Sequence, residues 1–318
     1  MKDRCVSALA LGVMLVGVMT ANGQELRRSV GGAVALEWNG SQVGFLRSAE
    51  GGDVEAEVMT TVSQGSFAKK QVSGIKINDL TLQIGPDMEK PIYEAIAASW
   101  QGTTSLANGA VLMVAYDSKV MSRREFSSAK IVATTFPALD GTSKEPAAMT
   151  VVLQPEGARV VKGAGTVQPT IGGNSKAWLP GNFRLEIPGL DCTHVRKIDG
   201  FTVKVGTKSV EFPNLEVTLN ESNAETWAAW LKSFVIDGNN GESAEKTGSI
   251  VFFGSDAQTE LGRISLFNLG ISGLKYDAVG AGAGPIRTVT AQLYCERMAL
   301  QWTGGAGAGA LQTRTLLR

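Results

Sequence analysis

Apolar and polar residues alternate along two matching stretches of this chain, 75–84 and 210–219. In both stretches apolar residues occupy the first, third, sixth, eighth and tenth positions, and polar residues or a proline fill the others. Period-two alternation is typical of an antiparallel strand with one buried side and one side in solvent. The pattern therefore predicts the same strand arrangement twice.

Three more sequence blocks recur in the same order. The first and second occurrences are Leu36-Glu37 and Leu185-Glu186, Asp117 with Arg124 and Asp256 with Arg263, and Met149-Thr150 and Val289-Thr290. The spacing drifts only between blocks, as expected if loops differ in length. We therefore predict two copies of one domain, which is more typical of a building block than of a single active site. The first copy is longer between Thr60 and Gly74, where we predict a longer hairpin.

Each copy also contains one stretch with apolar residues at helical spacing. Asp87 is the predicted N-cap of the first helix, and Ser222 with Glu225 has the spacing of a capping box in the second. Burial statistics favour core packing over a ligand cage for the aromatic residues. The two stripes are Ile92, Ile96 and Trp100, and Trp227, Trp230, Leu231 and Phe234.

These elements predict a mainly β fold with some α-helix: two tandem antiparallel β-barrel or β-sandwich domains, each with one packed helix. The domains are expected at 24–161 and 182–302. A Gly-rich and Pro-containing linker at 162–181 separates them, and a Gly/Ala-rich tail follows at 303–318. With 318 residues and 43% apolar content, the chain is long enough for two cores.

Residues 1–23 are predicted to be a secretory signal peptide. Lys2 and Arg4 precede an apolar run from Val6 to Met19, and small residues follow before Gln24. The run is shorter than the ~20 residues of a spanning helix, although an uncleaved anchor is the alternative. We expect a secreted or cell-surface protein, and the periplasm is the alternative location.

Charge argues against a nucleic-acid partner. The whole chain has 30 basic and 30 acidic residues, and loss of the signal segment leaves 28 and 29. A nucleic-acid-binding domain usually carries a clustered basic excess. No nucleic acid and no membrane span after cleavage are expected.

Residue types that carry chemistry are scarce. His194 is the only histidine, which leaves no duplicated catalytic relay and too few ligands for a zinc site. The stretch 237–242 has oxygen-rich residues, but its composition favours a turn over a calcium loop. No P-loop or dinucleotide motif occurs. We predict no catalytic residues, no metal, no cofactor and no enzymatic activity.

Two cysteines, Cys192 and Cys295, remain after the predicted signal peptide is removed. In an oxidising compartment they are a candidate disulfide pair. Two free thiols are the equal alternative, because spacing in the sequence does not determine geometry.

The second copy resembles the tail-tube proteins of contractile-tailed phages and the inner-tube protein of type VI secretion. The resemblance rests on the stretch 183–190 (FRLEIPGL), on 198–201 (IDGF), and on the order of strands and helix as far as residue 302. Through the repeat it extends to 34–161. It implies a small antiparallel barrel with one helix, packed into hexameric rings that stack as a tube. Typical tube subunits have one domain and no export signal, so this chain departs from them.

Two classes of function follow for a non-enzyme. The first is an exported structural protein that self-assembles into rings, as a trimer of duplicated subunits with pseudo-hexameric symmetry, stacked as a tube or filament. The alternative is a secreted binding module that recognises glycan or a cell-surface partner through exposed aromatics. The aromatic candidates for the alternative are Trp38, Trp178 and Trp302. The candidate assembly contacts for the first are Lys69, Lys70, Arg124, Arg263, Asp117 and Asp256.

Overall fold

A computed structural model describes residues 32–62, 67–168, 178–277 and 287–303. The predicted signal peptide at 1–23 lies outside the described residues. So do the residues of the predicted tail after Thr303. These two predictions therefore stay predictions.

Strands dominate the first half of the structure, residues 33–162, and one helix, α1 (Lys90–Trp100), follows the fifth strand. The strands of this half are β1 (Ala33–Trp38), β2 (Ser41–Gly51), β3 (Val54–Thr61), β4 (Lys69–Ile77), β5 (Leu80–Ile84), β6 (Ala107–Val114), β7 (Val120–Phe136), β8 (Leu139–Asp140), β9 (Met149–Gln154) and β10 (Gly157–Lys162).

The second half, residues 183–302, has the same kind of element order around helix α2 (Glu225–Leu231). Its strands are β11 (Phe183–Glu186), β12 (Val195–Ile198), β13 (Phe201–Val205), β14 (Val210–Glu211), β15 (Leu215–Asn220), β16 (Lys246–Phe253), β17 (Glu260–Tyr276) and β18 (Thr288–Trp302).

The strands form two large antiparallel sheets and one hairpin. The first sheet runs β14-β13-β7-β6-β1-β2-β5-β9, with β10 also on β7, and a β7–β9 pairing closes its six central strands into a barrel. The second runs β11-β16-β17-β18-β15-β12-β8. Strands β3 and β4 pair only with each other among the described strands, which confirms the hairpin predicted between Thr60 and Gly74. The predicted mainly β fold with two barrel-like sheets and few helices is confirmed.

The two sheets share strand order and pairing register. Leu80 lies opposite Leu153 in the first half, and Leu215 lies opposite Leu293 in the second. The two hairpins also share their pairing register. Glu55 lies opposite Lys76 in β3 and β4, and Lys204 lies opposite Glu211 at the equivalent position of β13 and β14. Residues at equivalent register positions of the two halves are called counterparts below.

The helices occur where the apolar stripes predict them, but both cap predictions are wrong. The N-cap residue of α1 is Glu89 rather than Asp87, and neither helix has a side-chain cap hydrogen bond. Ser222 lies in a 3₁₀ turn before α2, and its hydroxyl donates to Asn223 instead. A π-helical turn, Lys232–Ile236, extends α2. No helix in the described ranges is long and apolar enough to cross a membrane.

One continuous hydrophobic core contains buried residues of both halves, including Leu36, Ile96, Trp227 and Leu293. The stripes of α1 and α2 contribute to it, so Trp227 and Trp230 pack in the core as predicted. Burial of each such side chain stabilises the fold by about 1.5–3 kcal/mol. The predicted linker takes part too: Trp178 is fully buried, and Val167 packs in a smaller cluster with Ala35 and Leu112. The division into domains at 24–161 and 182–302 stays a prediction.

Asp191 ties the turn after β11 to the start of α2. Its carboxylate accepts hydrogen bonds from the Asn223 side chain, and from the backbone N–H and hydroxyl of Thr193. Its backbone carbonyl accepts the indole N–H of Trp227 at 2.9 Å. The Asn223 and Thr193 bonds lower the pKa of Asp191 to about 2.

We predict that Asp191→Asn makes stability less dependent on acidity. A depressed pKa in the folded state adds stability that is complete above the unfolded pKa of about 4, and that is lost as the pH falls towards 2. The variant should therefore be less stable than the wild type at pH 7 and should lose less stability between pH ~4 and ~2. Urea unfolding midpoints against pH measure this, with Asp79→Asn at an exposed turn as control. Parallel curves for the wild type and Asp191→Asn would contradict the prediction.

Candidate assembly interface

The two halves exchange strands, and the contact made by β13 brings residues of both halves together. Strand β13 leaves its own half and pairs antiparallel with the end of β7, where Phe201 lies opposite Phe136 and Lys204 opposite Ala133. Between these pairs the hydroxyls of Thr135 and Thr202 lie 2.8 Å apart. We call this β7–β13 pairing and the aromatic cluster around it the strand-exchange junction.

Phe136 is the centre of that aromatic cluster. It is fully buried, and its ring stacks on Phe201 at 5.3 Å and on Phe252 at 5.5 Å between centroids. Trp178 and Trp302 contact the same ring at their edges or at a tilt. Aromatic pairs of this geometry add about 0.5–1.5 kcal/mol each beyond burial. The junction is therefore a core, not a surface contact.

Helix α1 of the first half completes the junction by packing on strands of the second. Tyr93 stacks on Trp302 at 5.6 Å, and its hydroxyl donates to the Gly85 carbonyl at 2.6 Å. Burial raises the pKa of Tyr93 well above its usual value. At the end of the helix, Trp100 meets Phe212 edge to face at 6.4 Å. The two halves thus share one aromatic interior.

A second crossing runs in the opposite direction. The short strand β8 of the first half extends the second sheet beside β12, with Asp140 opposite Lys197. The backbone N–H of Gly141 donates to the Arg196 carbonyl at 2.9 Å and continues this pairing. Because each half gives a strand to the sheet of the other, the halves cannot separate without breaking both sheets.

Several large apolar residues that are exposed on one half have counterparts buried in the shared core. Tyr276 is 52% exposed, whereas its counterpart Phe136 is 0% exposed. Met113 is also exposed, and its counterpart is the buried Phe252. Further pairs, exposed residue first, are Val54 and Val203, Met121 and Leu261, and Val160 and Leu300. The surfaces that form the junction thus recur, uncovered by described residues, on the outer sides of the chain.

The repeated charged residues are held inside each half. Arg123 donates to both carboxylate oxygens of Glu37 at 2.9 Å, and Arg263 donates to Glu186 at 3.1 Å. The strand register makes Arg123 the counterpart of Arg263, which corrects the alignment of Arg124 with Arg263. Arg124 instead donates to the backbone carbonyl at the base of the β3–β4 hairpin.

The repeated aspartates shape equivalent turns. The carboxylate of Asp117 accepts the Lys119 N–H, and that of Asp256 accepts the N–H groups of Gln258 and Thr259. The residue after each aspartate has a positive φ, 64° at Ser118 and 52° at Ala257. Aspartate side chains commonly stabilise such turns by bonding to backbone two residues on. The recurrence of these acids therefore has an explanation within the fold.

The candidate contacts Lys69 and Lys70 lie in the exposed β4 strand, opposite Thr61 and Thr60 at the far end of the hairpin. Their role in assembly stays a prediction, as do the roles of Arg124, Arg263, Asp117 and Asp256.

The described cysteines are free thiols, so the structure contains the second of the two alternatives considered for them. Burial raises the pKa of the Cys295 thiol to about 11, and it also raises the pKa of Cys192. The Cys295 thiol donates to backbone carbonyls of Phe267 and Arg297. A thiol kept protonated in this way is slow to oxidise.

Exposed aromatics for a glycan-binding surface are not found where they were expected. Trp38, Trp178 and Trp302 are all buried. None of them can stack on a ligand from solvent. This corrects the basis of the binding-module alternative.

One open cleft contains glutamates, as the active site of an acid-catalysing enzyme would, but arginine side chains form ion pairs with them. Glu37, Glu125, Arg123 and Asn39 line an open cleft of about 390 Å³. Hydrogen bonds from Arg159 and Arg123 lower the pKa of Glu125 below its usual value. A general acid needs a raised pKa, so this carboxylate suits an ion pair rather than acid catalysis. In the part of the chain that the structure describes, no group of three or more His, Cys, Asp or Glu residues could hold a metal ion.

No protein-family model matches this chain, and no curated protein matches it. Among solved structures, it is similar to a chain of the 6-fold symmetrised baseplate of the anti-feeding prophage (AFP), with a TM-score of 0.36, 14% identity, and coverage of 42% of this chain and 95% of that one. It is also similar to a chain of the PVC sheath–tube complex of an extracellular contractile injection system in the extended state (0.38, 13%, 44% and 94%). A third is in the AFP tube-terminating cap (0.35, 17%, 41% and 87%). The neighbours are thus chains of the anti-feeding prophage and of an extracellular contractile injection system, and each likeness covers less than half of this chain.

We predict that Phe136→Ala lowers the free energy of unfolding by about 3–5 kcal/mol, because it leaves a cavity in the aromatic cluster. Its counterpart provides a matched control: Tyr276→Ala at low protein concentration should change that free energy by less than about 0.5 kcal/mol, since Tyr276 is half exposed. Urea unfolding of both variants measures the difference. Equal destabilisation would show that the junction is not a core contact.

Proposed function

We propose that this chain is an exported structural protein, without enzymatic activity, that self-assembles through one repeated head-to-tail contact into rings stacked as a tube or filament. It would be built from two copies of one domain, joined so that the strand-exchange junction is the covalent version of the contact between chains. The shared strand order and register of the two halves support the duplication.

The observation that carries the proposal is the contact between Phe136 and Phe252. Phe136 belongs to the first half and Phe252 to the second, and their counterparts are the exposed Tyr276 and Met113. Each chain therefore presents both sides of the same contact on two different surfaces. Tyr276 of one chain can meet Met113 of the next as Phe136 meets Phe252.

A contact between two different surfaces propagates from chain to chain and ends either in a closed ring or in an open helical filament. The resemblance to tube subunits that form hexameric rings favours closure after six domains. Three duplicated chains would then complete one pseudo-hexameric ring. Closure also leaves no strand edge of this kind exposed, which limits uncontrolled strand pairing.

Stacking of rings needs a separate surface. The β3–β4 hairpin pairs with neither large sheet among the described strands, and it exposes Val58, Met59 and Val72. An isolated two-stranded hairpin is marginally stable in water, so a covering neighbour would stabilise it. We assign ring stacking to this hairpin with Lys69 and Lys70, together with the segments 24–32 and 303–318.

We predict that the purified protein forms rings or tubes in negative-stain electron micrographs at high concentration, and a trimer by analytical ultracentrifugation on the way to them. The duplicated head-to-tail contact gives the physical reason. A monodisperse monomer without particles would overturn the proposed function.

Two one-sided variants test the direction of the contact. Met113→Asp places an unpaired carboxylate on one surface, and Tyr276→Asp places one on the other, which costs several kcal/mol when the contact is buried. Each variant alone should stop at the monomer, whereas a 1:1 mixture should form a dimer through the two intact surfaces. Leu106→Asp, at an exposed apolar residue with the polar counterpart Glu245, should assemble as the wild type does. Failure of the mixture to dimerise would contradict a head-to-tail contact.

A further inference from the structure

The last residues of β17 have a sheet partner on one side only among the described strands. Residues 273–276 pair with 289–292 of β18, and β16 pairs with β17 only as far as Leu269. Their counterparts 133–136 in β7 are paired on both sides, by β9 and by β13. The segment 273–276 therefore presents the same backbone edge that β13 covers in the first half.

The counterpart of β13 is available at the other side of the chain. Residues 52–55 correspond to 201–204, because the β3–β4 and β13–β14 hairpins have the same register. Strand β13 is bonded to β14 on one side and to β7 on the other. Strand β3 is bonded to β4 on one side, and no described strand covers its other side.

We propose that residues 52–55 of one molecule add as an antiparallel strand to residues 273–276 of a second copy of this chain. The register follows from the junction: Asp53 lies opposite Lys275, and Val54 lies opposite Leu274, as Thr202 and Val203 lie opposite Thr135 and Thr134. This inference rests on the proposed function and specifies the strands that make its contact.

The side chains of the two edges are complementary in this register. Asp53 and Lys275 are both exposed, and they bring opposite charges to directly opposing positions, an arrangement that favours pairing by about 0.2–1 kcal/mol. Val54 and Leu274 face each other on the opposite side of the strand. One residue of slip would place each side chain against the wrong face. Charge and polarity therefore both select one register.

Two glycines form the base of the β3 hairpin. Gly51 and Gly52 both have left-handed backbone conformations, with φ of 80° and 69°. Gly200 and Phe201, their counterparts, are not among the described residues with positive φ. Glycine populates both regions readily, so the hairpin can adopt the direction of β13 when its partner edge is present.

A double-cysteine variant, Asp53→Cys/Lys275→Cys, tests the register directly. Directly opposite residues of paired strands lie about 4.5–5.5 Å apart between Cα atoms, within the span of a disulfide. The purified variant is assembled under reducing conditions, its assembly is verified by sedimentation, and it is then oxidised mildly. Non-reducing denaturing gels should show covalent dimers and trimers.

The junction provides a matched control within one chain. Thr135→Cys/Thr202→Cys has the same geometry, and it should form a disulfide at the mass of the monomer. The offset pair Val54→Cys/Lys275→Cys should give at least about tenfold less cross-linked product, because neighbouring residues of a strand point to opposite faces. The wild-type chain controls for cross-linking through Cys192 and Cys295. A second pair in the same register, Val54→Cys/Leu274→Cys, tests the same contact on the other face of the strands.

The outcomes separate this inference from the proposed function. Covalent oligomers from the two in-register pairs, with little from the offset pair, support the strand addition. If the wild type assembles but neither in-register pair cross-links, or the offset pair cross-links better, the strand addition is overturned and self-assembly stands. If the wild type does not assemble at all, both are overturned.

Discussion

The pairing of β13 with β7 is the constraint on which the rest of the structure depends. It takes a hairpin out of the second half and places it on the first sheet, so Phe201 can stack on Phe136. The space beneath is then filled from α1, from the connecting segment through Trp178, and from the second sheet through Trp302. Without this pairing, large aromatic side chains of both halves would lie in water at a cost of about 1.5–3 kcal/mol each.

The repeated ion pairs form within each half and not between the halves. The Glu37–Arg123 and Glu186–Arg263 pairs lie at equivalent places on the two sheets, and each joins two strands of one half across the strand between them. Partly exposed ion pairs of this kind contribute little more than about 1 kcal/mol. They recur because the sheets recur. Several apolar residues, in contrast, differ in burial between the halves: they are exposed on one half, and their counterparts are buried on the other.

Local pattern was enough to predict the strands and helices, because alternation and helical spacing report which face of an element is buried. It was not enough to predict partners. The sequence of β13 predicts a strand that belongs to the sheet of its own half. Nothing local in that sequence indicates that its partner is β7 of the other half. The Arg124 alignment failed for a related reason: Arg123 and Arg124 are adjacent, and only the strand register determines which of them meets Glu37. The fully buried Trp178 was misjudged because it lies in a Gly-rich stretch without periodicity.

The two versions of the edge differ in a way that physical chemistry explains. The junction inside the chain is paired as soon as the chain folds, so it can use Phe201 against Phe136 and the paired hydroxyls of Thr135 and Thr202 without presenting a free edge to other molecules. An edge that meets its partner only in another molecule must stay soluble beforehand. Glycine and aspartate replace Phe201 and Thr202 at 52 and 53, and lysine replaces Thr135 at 275. Charged residues on an edge strand oppose pairing with arbitrary strands and tolerate one complementary edge. On the proposed duplication and strand addition, one contact would occur twice: as a permanent core within the chain and as a joint between chains.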